Sequence, residues 1–367
     1  SLREEGIQLK ITGFETTALK VPVTESFVGS VKFECFNPVV VELFTDEGLR
    51  AHGLAMVFNN FHVKLLKDCI DALAEVMVGA ELERWARNWE QLWKLGVRIG
   101  SNGLGVMALS AVDMALWNLR AKSLEMPLAR LLGGFRDEVP VYASNYLWRD
   151  RSIDELQKEA AGLVEQGFKA IKMRMGWKPK NEEIKRLAAV REAVGPDIDI
   201  MIDVLWVWTV YESIVLGREM EKQGVYWLED PIPTHDVAGL SEIARSLDMP
   251  LVVGENIAHK RGFRQLFEER ATDIAMIDVQ AVGGVTEWMK VAAMAEAYNL
   301  PVVSHLFDEF SVHLVAAIPN GIWTEHMPWW EVIYQDPPQP KNGWISVPDV
   351  PGIGYELDRD AMTRMKM

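Results

Sequence analysis

The chain has 367 residues, a formal net charge of -15 and a pI near 5.0. So acidic a protein is a poor candidate for non-specific binding to nucleic acid or to an anionic membrane, because both need basic surface. Two cysteines, Cys35 and Cys69, make no disulfide framework, no apolar run is long enough to span a bilayer, and no charged-then-apolar leader opens the sequence, so a cytoplasmic protein is expected.

A chain of this length suits two domains or one large α/β barrel with additions. Near the start, "NPVVVELFTDEGLRAHG" (37–53) reads as a strand, an Asp-Glu-Gly turn and a second strand, so residues 1 to about 60 are expected to be antiparallel. Next, "SNGLGVMALSAVDMALWNLRAKSLEMPLARLLGG" (101–134) carries small and apolar residues on a helical period and reads as a buried helix stopped by Gly133 and Gly134. From about residue 139 short apolar runs alternate with helix-like segments, the pattern of repeated βα units. The candidate strands are 139–144, 169–175, 198–204, 225–230, 251–256, 274–280, 301–306 and 322–327. Amphipathic segments lie between them, such as 152–167, where Ser152 and Glu155 have capping-box spacing and Gly167 is a stop, and 181–195. The last stretch, "DPPQPKNGWISVPDVPGIGYELD" (336–358), is too rich in Pro and Gly for a helix and is expected to return to the N-terminal region. The expected fold is α/β: a modified (β/α)8 barrel over residues 133–328, with an α+β capping domain formed by residues 1–132 and the C-terminal segment 329–367.

Asp203, Glu229 and Glu255 lie at or near the C-terminal ends of three successive candidate strands, with spacings 229 − 203 = 26 and 255 − 229 = 26. In a barrel those ends converge on one face, where three carboxylates would repel one another unless a hard cation sat between them. An oxygen-only donor set without nearby cysteine points to Mg²⁺ rather than Zn²⁺. Asp278 and His305 end neighbouring strands, so the carboxylate can fix one imidazole nitrogen and leave the other to take a proton. In "KAIKMRMG" (169–176) Lys172 and Arg174 share one face of a strand and Ile171, Met173 and Met175 share the other.

Taken in order, "AVDMALWNLRAKSLEMPLARLLGG", "KAIKMRMG", "MIDV", "WLEDPIP", "GEN", "MIDVQAVGG", "VVSHLF" and "PGIGYELD" make the chain resemble the mandelate racemase subgroup of the enolase superfamily over nearly its whole length. The resemblance implies that Asp203, Glu229 and Glu255 ligate Mg²⁺, that Asp278 and His305 form a catalytic dyad, and that Glu325 hydrogen-bonds the substrate carboxylate. It matches Lys172 and Arg174 to a Lys-x-Lys pair whose second lysine is the base on the opposite face of the substrate. Here that lysine is replaced by Arg174, and an Asn common two residues after the first metal ligand is replaced by Leu205.

A guanidinium is a poor base, so chemistry with a single base, His305, is expected. The reading is a Mg²⁺-dependent acid-sugar dehydratase that yields a 2-keto-3-deoxy acid; the alternatives are a racemase, epimerase or lactone cycloisomerase on the same scaffold, or a non-catalytic acid-binding barrel. The expected partner is a small carboxylate, with no nucleic acid or membrane, and a homo-oligomer is expected. Trp148, Trp206 and Trp208 are candidate pocket residues, and segments 24–30 and 56–60 are the candidate loops that read substrate length.

Overall fold

The computed structural model describes residues 9–23, 27–28 and 32–367. Its N-terminal sheet contains β1 (Ile11–Ala18), β2 (Val21–Pro22), β3 (Cys35–Thr45) and β4 (Arg50–Phe58), and β3 pairs antiparallel with the other three. The β3–β4 hairpin is the one expected from the sequence, with Gly48 supplying a φ of 76° in its turn. Three helices follow: α1 (Val63–Glu75), α2 (Trp85–Ile99) and α3 (Leu104–Ser123). The third is buried almost all round because it is wedged between β4 and the barrel helices.

The expectation of one helix running to Gly133 is corrected: α3 stops at Ser123 and a separate short helix, α4 (Leu128–Leu132), resumes after Pro127. Proline has no N–H to give the helix and pushes its predecessor out of the helical region. Glu125, at φ 53°, turns the chain between them.

The barrel strands are β5 (Glu138–Ala143), β6 (Ala170–Arg174), β7 (Asp199–Asp203), β8 (Val225–Glu229), β9 (Leu251–Val253), β10 (Ile274–Asp278), β11 (Val302–His305) and β12 (Gly321–His326). Each pairs in parallel with the next and β12 pairs with β5, so eight parallel strands close on themselves. Around them run α5 (Ile153–Glu165), α6 (Lys180–Val194), α7 (Val210–Glu221), α8 (Val237–Ser246), α9 (His259–Glu268), α10 (Val279–Val282), α11 (Gly284–Ala297) and α12 (Asp308–Ala317). All eight expected strands are present, with ends shifted by up to three residues; the largest shift leaves Glu255 in the loop beyond β9.

Strand periodicity explains the barrel's interior. Ile171, Met173, Ile200, Ile202 and Leu228 point outward into the layer under the helices, whereas Ala170, Met201, Trp227, Met276 and Val303 form an apolar plug inside. Two residues further along the same inner faces come Lys172, Asp203, Glu229, Asp278 and His305. The charged layer therefore sits on an apolar floor at the C-terminal mouth.

After the barrel the chain pairs β13 (Trp344–Ser346) with β5 before it reaches the cap. Ile353 then bonds Asn118 of α3, and after α13 (Arg359–Met365) the Met367 amide donates to Ala18 of β1. The expected return to the N-terminal region thus occurs in the last residues, after a detour along the barrel. No helix among the described residues is long and apolar enough to cross a membrane.

Candidate active site

Parallel register sets the site. Arg174 is level with Asp203, Asp203 with Glu229, and Asp278 with His305, so these side chains stand in one tier. Lys172 Nζ lies 2.6 Å from Glu229 Oε1, 2.8 Å from Glu325 Oε1 and 3.9 Å from Asp203 Oδ2. Arg174 donates to the Ser144 carbonyl and hydroxyl, its Nε is 3.5 Å from Asp203 Oδ2, and its guanidinium lies 4.2 Å over the Trp148 ring. Glu325 joins the two sides: one oxygen accepts from Ser144 Oγ at 2.6 Å, and the other accepts from the Leu306 amide at 2.8 Å and lies 3.8 Å from His305 Nε2.

Asp278 Oδ2 is 2.6 Å from His305 Nδ1, and its other oxygen accepts from the Ala281 amide at 2.8 Å, which holds the carboxylate still. His305 Nε2 points into the site, 3.1 Å from Glu255 Oε2. Burial works against a charge on His305, but Glu255, Glu325 and Asp278 raise its pKa well above the ordinary imidazole value. Burial likewise opposes charge on Lys172, and Glu229, Glu325 and Asp203 overcome it, raising its pKa. Glu325 is pushed up by burial as well, yet Lys172 and His305 hold it well below the usual carboxylate range.

The donor chemistry fits a divalent cation. Six carboxylates, Asp203, Glu229, Asp230, Glu255, Asp278 and Glu325, are buried here alongside Lys172, Arg174 and His305, so negative groups outnumber basic ones. Burial pushes Glu229 up to about 8, with Asp203, Glu325 and Glu255 adding to the rise against Lys172. The Asp230 carboxylate is held high by burial and by Glu255 and Glu229, and its Oδ1 is buried without a hydrogen-bond partner. Oxygen-only donors and surplus negative charge suit Mg²⁺. The oxygens of Asp203, Glu229 and Glu255 do not all lie within 4.8 Å of one another; among the described residues the group that does is Asp308, His326 and Glu331. Lys172 and His305 draw Glu229 and Glu255 toward themselves. Asp308 bonds His326 at 2.5 Å on the opposite face of β12 from Glu325, tying that strand to α12.

A cavity of about 610 Å³ opens above this tier. Arg174, Asp203, Glu255, Asp278 and His305 line it together with Phe33, Phe58, Trp148 and Trp329. Of the three candidate tryptophans Trp148 and Trp206 line the pocket, and Trp208 is packed in the core instead. The expected 56–60 loop is in part strand: Met56 and Phe58 reach the cavity from the end of β4, whereas in the 24–30 segment only Phe27 and Val28 are described, Phe27 stacking on Trp148 with centroids 4.0 Å apart. The backbone is strained around this mouth: Leu205, Trp206, Leu306 and Phe307 all have φ between 50° and 61° immediately after β7 and β11.

Sequence reading missed Phe33, Gln280, Met327 and Trp329, which come from the cap, the short helix α10 and the segment after the last strand. A dense run of phenylalanines at 27, 33 and 36 was the available signal. Outside the tier the structure also pairs His259 with Glu287 at 3.0 Å and His326 with Asp308.

Known proteins share both the sequence pattern and the fold. A family model for the mandelate racemase / muconate lactonizing enzyme N-terminal domain matches residues 10–133, and one described as enolase C-terminal domain-like matches residues 155–361. An arabinonate dehydratase from Saccharolobus solfataricus is 31% identical over 337 residues, 87% of this chain and 88% of its own. An L-talarate/galactarate dehydratase from Salmonella typhimurium is 31% identical over 289 residues, 79% of this chain and 73% of its own. The crystal structure of L-talarate dehydratase from Polaromonas sp. JS666, complexed with Mg and L-glucarate, superposes with a TM-score of 0.90 at 28% identity, covering 98% of both chains. With the closed barrel, its α+β cap and the tier of strand-end carboxylates, these matches make the chain a member of the mandelate racemase / muconate lactonizing enzyme family of the enolase superfamily.

Proposed function

We propose that the protein is a Mg²⁺-dependent dehydratase of a hydroxy acid of the acid-sugar type, with Asp203, Glu229 and Glu255 holding the ion. The observation that carries this reading is the pairing of Asp278 and His305 across the tier from Arg174. One competent base faces a residue that stays protonated to above roughly pH 12. Racemisation needs two groups that exchange the roles of acid and base, and this arrangement supplies one.

Bound Mg²⁺ supplies Lewis-acid stabilisation of the negative charge that builds on the substrate carboxylate. With Asp203, Glu229 and Glu255 holding the ion, His305 Nε2 would be the group placed to take the α-proton, while Asp278 holds Nδ1–H. The Cα–H electron pair forms the Cα=Cβ bond as the β-hydroxyl leaves. The imidazolium returns its proton to that hydroxyl, which departs as water, and the enol becomes a 2-keto-3-deoxy acid. Lys172 and Arg174 steady the anionic end, and Glu325, kept ionised by Lys172, accepts a hydrogen bond from the substrate.

The test incubates the protein with Mg²⁺ in D₂O against mono- and diacid sugars and follows each by proton NMR. A 2-keto-3-deoxy product is expected, lost on chelation with EDTA and lost in His305→Asn. A product of unchanged mass would move the assignment to an epimerase or cycloisomerase. Exchange surviving in His305→Asn would move the base to Lys172.

A further inference from the structure

Beside the charged tier and the aromatic rings, the described lining of the cavity holds three neutral amides, Asn102, Asn256 and Gln280. Protein partners fix the orientation of two of them. Gln280 Oε1 accepts from the Met56 amide at 2.5 Å, so its Nε2 is left as a donor without a partner among the described residues. Asn256 Nδ2 donates to Glu255 at 2.6 Å, which leaves its Oδ1 as an open acceptor. Gln280 is the more firmly held: its backbone carbonyl also accepts from Ser110 Oγ of α3 at 2.7 Å, so β4 and α3 of the cap both grip it.

One open donor and one open acceptor suit a particular kind of ligand group. A carboxylate only accepts and would oppose the Asn256 oxygen, and an alkyl chain would leave both amides unpaired, but a hydroxyl both donates and accepts. A site that offers such groups discriminates against a ligand that cannot pair them. Asn256 directly follows Glu255, and Gln280 lies two residues beyond Asp278. Both amides therefore stand beside the residues proposed to hold the ion and the base, where the substrate carbons next beyond the two that react would pass.

We infer that Gln280 and Asn256 are specificity residues that read hydroxyls at C4 and beyond, Gln280 Nε2 donating to one and Asn256 Oδ1 accepting from another. The protein then takes acid sugars with a hydroxylated tail in preference to acids whose hydroxyls end at C3. The volume of about 610 Å³ accommodates such a tail. The inference rests on the proposed seating of the carboxylate at the metal ligands, and it selects among the acids that seating allows.

The test measures binding and turnover separately. With Mg²⁺ present, His305→Asn is titrated by calorimetry with D-gluconate, with galactarate and with 2,3-dihydroxyhexanoate of matching configuration at C2 and C3, and the wild type is assayed on all three. The tighter acid sugar is expected to bind at least about tenfold more tightly than the dihydroxyhexanoate, the worth of one or two neutral hydrogen bonds. Adding Gln280→Met is expected to shrink that ratio at least about threefold, and so is adding Asn256→Ala, which leaves the Met56 contact intact. The ratio separates reading from scaffolding, because loss of the grip on the cap would weaken all three acids alike. A ratio near one in His305→Asn itself, or one that survives both added substitutions, overturns the inference, and so does the absence of binding by either acid sugar. Water loss from all three acids without that preference would leave the dehydratase reading standing. The preference without water loss from any acid would uphold the inference and sink that reading instead.

Discussion

Arg174 concentrates the chemical question in one residue. Its guanidinium makes two hydrogen bonds to Ser144, leans on Asp203 and covers Trp148, a set of contacts that a planar, permanently charged fork can make together and an ammonium cannot. Arg174→Lys should therefore lower dehydration by roughly 10- to 100-fold, less than the roughly 100- to 1,000-fold cost of deleting a positioned donor because the charge is kept. The same substitution puts a titratable amine where Arg174 stood, so the α-proton should begin to exchange with inversion as pH rises toward the lysine range. Chiral chromatography of the recovered substrate reads this; the absence of epimer up to about pH 10, near the ordinary lysine pKa, would mean that position 174 does not face the carbon that His305 attacks. The departure from lysine was legible in the sequence. The Ser144 and Trp148 contacts were not, because they join the loop after β5 to the end of β6.

Among the elements, strands were the easiest to read because alternation and β-branched content survive whatever the fold does with them. Their ends were harder to read, since a strand stops where its ladder of hydrogen bonds stops, and only the neighbouring strand completes that ladder. Helix α5 begins as its sequence foretold: Ser152 Oγ accepts from the Glu155 amide and the Glu155 carboxylate accepts from the Ser152 amide. Thr209 and Glu212 build the same box at the start of α7. Ser152→Ala should cost about 1 kcal/mol of stability, seen as a lower denaturant midpoint with an unchanged kcat on the same substrate. A fall in kcat at constant stability would show that the loop before α5 communicates with the site. The positive φ angles of Leu205, Trp206, Leu306 and Phe307 had no sequence signal, since none of these residue types favours that region.

Across the whole molecule, a few buried polar contacts fasten cap, barrel and tail together. Asp113 of α3 accepts from the Thr286 amide and hydroxyl, Trp89 donates to Gly283, and His313 of α12 accepts from the Ala129 amide on Nδ1 and donates from Nε2 to the Ile353 carbonyl. Burial disfavours a charged His313, and protonation would also set a new N–H against that of Ala129, so its pKa falls to about 4. The unfolded chain titrates near the ordinary imidazole value of 6.5 and takes up the proton first. The stabilising neutral form is therefore fully in place above pH 6.5, and its contribution is lost as pH falls toward 4, by up to about 3 kcal/mol at roughly 1.36 kcal/mol per unit. The thermal unfolding temperature should accordingly fall less steeply between pH 7 and pH 4 for His313→Gln than for the wild type; parallel curves would mean that the imidazole is not neutral in the fold.

The local sequence by itself determined the eight strands, the turn between β3 and β4, and the acids and histidine that stand at strand ends, because period, turn chemistry and residue type are properties of short segments. Closure of β12 on β5, the meeting of Lys172 with Glu229 and Glu325, and the aromatic lining of the cavity were decided by tertiary structure alone. Phe33 and Trp329 lie at opposite ends of the chain and share one cavity because barrel closure and the cap bring their segments over the same mouth. The reason is physical: a periodic pattern selects which face of an element is buried, and only the packing of that face against distant segments settles which side chains it meets.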